Sequence, residues 1–230
     1  MADPIVFSSK SLVMQRISDA VSQGYTNWAS GVVQVSSAKK FVNKFDINFQ
    51  AFADRDLRSR RKKNGVGNAK LILWRQADQI FWVLLVTPPD TGIHAAHSLE
   101  KLKDVFKPGE RIEIDGFELV RVPKGGDGAG GTRLTWRMRQ EKYDGWRNSV
   151  IETVRKGSPR DLKELLFKMW GNPGFSGIRS QVGKLVALYR AECKRASLKD
   201  APQPPKRLPY LRRMQNYGDR LSRLIPKGPR

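Results

Sequence analysis

The chain has 230 residues, with 43 Lys or Arg against 22 Asp or Glu and a formal charge of +21. Its 39% apolar content, including six Trp and ten Phe, is enough to bury a core and excludes wholesale disorder. No apolar run approaches the roughly 20 residues that cross a bilayer, which excludes a helical membrane protein.

Val13, Ile17, Ala20 and Val21 recur at helical spacing after Ser8-Ser9, predicting a short helix over 8–22 that Gly24 ends. Residues 25–35, rich in aromatic and β-branched types, predict a strand. Ala38, Phe41, Val42 and Phe45 form the stripe of a second helix capped by Ser36 or Ser37. Residues 70–74 and 80–87 predict a hairpin whose second run is apolar enough for a central strand. Leu99, Leu102, Val105 and Phe106 predict a helix over 98–106. Asp115-Gly116, between alternating runs at 111–114 and 117–122, predicts a type I′ hairpin.

Residues 132–139 return as a strand, with Leu134, Trp136 and Met138 on one face and Arg133, Thr135, Arg137 and Arg139 on the other. After Glu141 the period becomes helical. Trp146, Val150, Ile151 and Val154 mark one helix. Ser158-Pro159 opens a second, striped by Leu162, Leu165, Leu166 and Met169, and residues 176–195 make a third. Residues 197–230 hold six prolines and nine basic residues against two acidic ones. They predict a largely extended basic tail that orders on a partner.

The expected class is therefore α+β. A mixed, mostly antiparallel sheet over 1–142, ferredoxin-like or RRM-like, carries a helical subdomain over 143–196, and the tail over 197–230 follows.

The densest charge lies between Arg55 and Arg75. Arg55, Arg58, Arg60, Arg61, Lys62, Lys63, Lys70 and Arg75 face a single acid, Asp56. Such a run repels itself unless a polyanion neutralises it, and phosphate is the natural counterpart. A loop over 58–63 is expected to clamp phosphates. Arg133, Arg137 and Arg139 on an exposed sheet face would follow a charged backbone, and Lys206, Arg207, Arg212 and Arg213 of the tail would extend the footprint. Tyr25, Trp28 and Tyr143 are the aromatics placed to stack on unpaired bases, whereas Trp74, Trp82, Trp136, Trp146 and Trp170 belong first to the core.

The glycine-rich stretch 124–131 lacks the Gly-Lys-Ser/Thr ending of a phosphate-binding loop and reads as a hairpin connection. His94 and His97 could share a metal with Glu100 and Asp104, although no cysteine lies nearby. Otherwise no catalytic grouping, metal set or cofactor motif is discernible. One cysteine, Cys193, forms no internal disulfide, and Met1-Ala2-Asp3-Pro4 lacks the order of a secretory leader. A reducing, cytoplasmic location is expected.

Residues Asn172-Pro-Gly-Phe-Ser-Gly-Ile-Arg-Ser-Gln-Val-Gly-Lys184, and Thr135-Trp-Arg-Met with the helix after it, resemble uncharacterised accessory proteins of bacterial plasmids and integrative conjugative elements. The resemblance spans about residues 24–195. It implies a mobile-element setting and assigns no residue a role. The expected function is non-enzymatic binding of DNA or RNA through phosphates. The alternatives are an RNA-binding subunit of a larger nucleoprotein complex, with other protein chains as partners, or a metal-dependent nuclease.

Overall fold

The computed structural model describes residues 2–124 and 130–225. In chain order it begins with β1 (Ile5–Phe7), α1 (Lys10–Ser22), β2 (Asn27–Gln34), α2 (Ala38–Phe49) and α3 (Arg55–Lys63). There follow β3 (Ala69–Gln76), β4 (Gln79–Val86), the single turn α4 (Ala96–Leu99), β5 (Lys103–Asp104), β6 (Glu113–Ile114), β7 (Phe117–Pro123) and β8 (Thr132–Met138). Three longer helices, α5 (Gln140–Lys156), α6 (Pro159–Trp170) and α7 (Ser176–Arg195), precede β9 (Gly218–Arg220) and α8 (Leu221–Leu224). The class is α+β, with mostly antiparallel strands and C-terminal helices. No described helix is long and apolar enough to cross a membrane.

The chain forms two compact units. The first joins residues up to 112 with those from 213 onward. Its sheet runs β5-β2-β4-β3-β1-β9. β4 is antiparallel to both β2 and β3, so those two are parallel, with the α2–α3 crossover between them. With β5 antiparallel on the outer side of β2, these four strands stand in the order of a ferredoxin-like sheet. β1 and β9 widen it beyond β3.

Alternation along β3 and β4 sends Leu71, Leu73, Ile80, Leu84 and Val86 to one face, where they pack with Val42, Phe45 and Phe49 of α2. Ile72, Val83 and Leu85 point the other way and are also buried, while α1 packs against β3. Burial on both faces is why the β4 sequence is an unbroken apolar run. It also leaves no open sheet face of the kind on which an RRM stacks bases. Within β2, Gly31 sits opposite Trp82, and a Cβ there would lie 2.7 Å from the indole ring.

The second unit spans 113–212. Asp115 (φ 48°) and Gly116 (φ 73°) make the expected turn between β6 and β7. In the sheet β6-β7-β8 the free edge of β8 is closed by α7. The Gln181 amide accepts from the Met138 N–H at 2.7 Å and donates to its carbonyl at 3.0 Å. The Thr135 hydroxyl oxygen accepts from the Ser176 hydroxyl and the Gly177 N–H. Ser158 caps α6 through the Asp161 N–H, as its sequence predicts.

Four expectations need correction. The strands at 113–138 do not join the first sheet: β8 is fastened to α7, so a boundary at 142 would cut the second unit. Of residues 98–106 only 98 and 99, the end of the single turn α4, are helical. Instead the Val105 N–H bonds to the Thr26 carbonyl and Lys103–Asp104 pair with β2, whose open edge offered partners that a short helix could not match. Residues 58–63 form a helix, not a loop. Asp54 caps α3 through the Leu57 N–H at 2.7 Å, and the cations of its last turn face the negative end of the helix dipole.

Finally, the C-terminal stretch is docked on its own chain. In the second unit the Tyr189 hydroxyl donates to the Pro202 carbonyl, and the Leu211 N–H to the Gly174 carbonyl. In the first, Arg213 pairs with Asp19 at 2.6 Å, β9 pairs with β1 and Leu221 enters the core. Gly174 lies so close to Pro209 that a side chain there would overlap its carbonyl. Gly174→Ala should therefore loosen residues 199–212 and cost about 1–3 kcal/mol, as overpacking does. Denaturant midpoints and limited proteolysis check this; unchanged cleavage between 199 and 212 would contradict it.

Candidate nucleic-acid interface

None of the nine residues of α3 is buried, so the helix is held at its flanks rather than by an apolar face. The Asn68 side-chain amide donates to the Arg58 carbonyl at 3.1 Å, and the Arg61 guanidinium donates to the Gln50 side chain at 2.6 Å. Arg55, Arg58 and Lys62, at i, i+3 and i+7, thus share the face that lines a cleft of about 670 Å3. Lys70 of β3 and Tyr25 complete it, with no carboxylate among its lining residues.

Burial is the first influence on the ionisation of Lys70, Tyr25 and Arg61, and for Lys70 a neighbouring cation adds to it. Burial holds the Lys70 ammonium below its ordinary pKa, and the Arg58 guanidinium lowers it further, against a smaller opposing pull from Asp19. Lys70 Nζ lies 4.5 Å from the Tyr25 ring centroid and donates to Gln23. Burial raises the Tyr25 hydroxyl, although Arg58 donates to it and opposes that rise. Burial also lowers Arg61. Among the described residues, none of Arg55, Arg58, Arg60, Arg61, Lys62, Lys63 or Lys70 lies in an ion pair with a carboxylate.

The remaining candidate cations are not gathered in one place. Arg60 and Lys63 lie on the exposed sides of α3, and Arg75 stands at the β3–β4 turn, donating to the Ala77 carbonyl. Arg137 is paired with Glu118 at 2.7 Å, and Arg139 with Glu113 at 2.6 Å. Thr135 between them is buried beneath α7. An open row of arginines on β8 therefore does not exist, because β7 and the next strand over, β6, supply acids and α7 covers Thr135 between the arginines. Arg213 is spent on Asp19, and Arg212 is exposed. Arg133, Lys206 and Arg207 line a second cleft, of about 420 Å3, in the second unit. Arg179 and Arg190 of α7 join them there; their spacing of eleven places them on one helix face beside the apolar stripe.

The stacking candidates also change. Tyr25 is 6% exposed and Trp28 5%, the latter donating to the Glu110 carbonyl at 2.7 Å, so neither offers a ring face to a base. Trp136 is fully buried, as expected. Residues 125–129 of the glycine-rich loop lie outside the described residues; β7 and β8, which flank it, are antiparallel partners.

Both histidines are engaged with backbone. His94 Nε2 contacts the Phe49 carbonyl at 3.1 Å while its Nδ1 accepts from the Ala96 N–H. His97 uses Nε2 toward the Thr87 carbonyl and Nδ1 toward the His94 N–H. A shared metal would require breaking these bonds, and no group of three potential ligands occurs among the described residues. Burial, aided by Arg61, pushes His94 down to about 4. Its stabilising contribution is thus complete above the ordinary value of 6.5 and drains away as the pH falls toward 4. Thermal melts should lose stability across that window, and His94→Gln should flatten the loss; an unchanged profile would argue against it.

No family model, no curated protein and no solved structure matches the chain. The residues themselves therefore carry the functional reading, and foremost among them is the unneutralised cleft beneath α3.

Proposed function

We propose that this protein binds nucleic acid without acting on it chemically, through phosphates of the DNA or RNA backbone. The observation that carries the reading is the convergence of Arg55, Arg58, Lys62 and Lys70 on one cleft lined by no carboxylate. Like charges held this close raise each other's energy, and a phosphodiester chain entering the cleft relieves that repulsion while releasing its own condensed counterions. Guanidinium groups suit the task because they grip phosphate bidentately. Recognition of this kind follows the backbone and carries little sequence information. Binding rather than hydrolysis is favoured because the ring nitrogens of His94 and His97 are committed to the backbone. The resemblance of residues 172–184 to proteins of plasmids and conjugative elements fits such a role.

Binding of labelled DNA and RNA should fall steeply with salt, with a log–log slope near −0.9 per contacted phosphate for duplex. Arg55→Ala with Lys62→Ala should weaken binding about tenfold and reduce the slope by about two. Fluorescence anisotropy over a salt series measures both; no binding at low salt, or binding indifferent to salt, would refute the proposal.

A further inference from the structure

In the second unit, Tyr210 is 66% exposed, an unusual position for a ring that also lines a cleft. Its place is set by a chain of contacts. The Arg179 Nε–H donates to the Leu208 carbonyl at 2.6 Å, which fixes the guanidinium. Its central carbon lies over the Tyr210 ring, 3.3 Å from the centroid. Leu208 is buried and the Leu211 N–H bonds to the Gly174 carbonyl, so the backbone on both sides of Tyr210 is tied down. The residue as a whole nevertheless stays largely exposed.

Around this ring the cleft presents Arg133, Arg190, Lys206 and Arg207, and no lining residue is acidic. Among the described residues none of these four forms an ion pair. An anchored, exposed aromatic ring on the lining of a cationic groove is a pairing that suits unpaired nucleic acid. Bases stack on the ring and the backbone follows the charge. A duplex keeps its bases stacked on each other and has none to offer.

We propose that the cleft between α7 and residues 206–210 binds single-stranded nucleic acid, with Tyr210 as the platform for one base. The proposal rests on the nucleic-acid reading above but uses a different unit and different residues. It assigns Arg179 a positioning role: it aligns the ring and is not required to touch the strand.

The test compares a short oligothymidylate, the matching oligouridylate and a blunt DNA duplex of the same length, for the whole protein. Tyr210→Ala should weaken both single strands about tenfold and leave the duplex within about twofold. The factor should be the same at low and raised salt, since stacking releases no counterions. Tyr210→Phe should bind like the parent, and Tyr210→Leu, which preserves bulk beneath Arg179, should behave like the alanine variant. Single-strand binding untouched by Tyr210→Ala and Tyr210→Leu would overturn this inference alone, provided the Arg55/Lys62 double variant still weakens it. Equal losses for single strand and duplex would overturn stacking. A parent protein that binds none of the three would overturn this inference and the broader reading together.

Discussion

Positive charge confined without a carboxylate partner is the condition on which the proposed function depends. Arg58 and Lys70 meet around Tyr25, a buried ring that lowers the local dielectric and so makes their repulsion stronger than it would be in water. Folding tolerates this because the sheet beneath is well packed and the helix above is held at its flanks through Asp54, Asn68 and Gln50, none of which needs the charges of Arg58 or Lys70. A surface salt bridge to either residue would be worth little to stability. Leaving the cations unpaired therefore costs the fold little and keeps the cleft able to attract an anion.

The scaffold achieves this by burying the central strand twice over. With α2 on one side and buried residues on the other, β4 and β3 hold Lys70 at a fixed height in the sheet. Asn68, just before β3, then fastens α3 by its Arg58 carbonyl. The helix needs no buried apolar stripe of its own, and Arg55, Arg58 and Lys62 remain on the cleft. In the second unit a similar economy applies to β8: a single glutamine, Gln181, satisfies the exposed strand edge at Met138 and frees the opposite side of α7 for Arg179 and Arg190.

Much of this was readable in the residues. The β3–β4 hairpin, the Asp115-Gly116 turn, the Ser158 cap and the three C-terminal helices each rest on short-range chemistry, and each formed where expected. Most of the failures come from competition by residues distant in the chain. Leu102 and Val105 have helical spacing, but the edge of β2, more than seventy residues earlier, took that segment as a strand. Arg137 and Arg139 alternate correctly with Trp136, yet the acids that pair with them sit on β6 and β7. Composition located the charge at 55–63 without revealing that it coils into a helix, because Leu57 alone gives no periodicity. Tyr210 was hidden in a proline-rich stretch whose docking depends on Gly174 and Tyr189, far upstream.

The pairing of β9 with β1 joins residues 5–7 to residues 218–220, nearly the full length of the chain. A ribosome delivers the first partner long before the second. During synthesis the β1 side of the sheet therefore stays open, a ready template for another strand, until residues 218–220 have emerged. Completion of the first unit thus waits on residues 218–220, so a product truncated before them would carry an unprotected sheet edge.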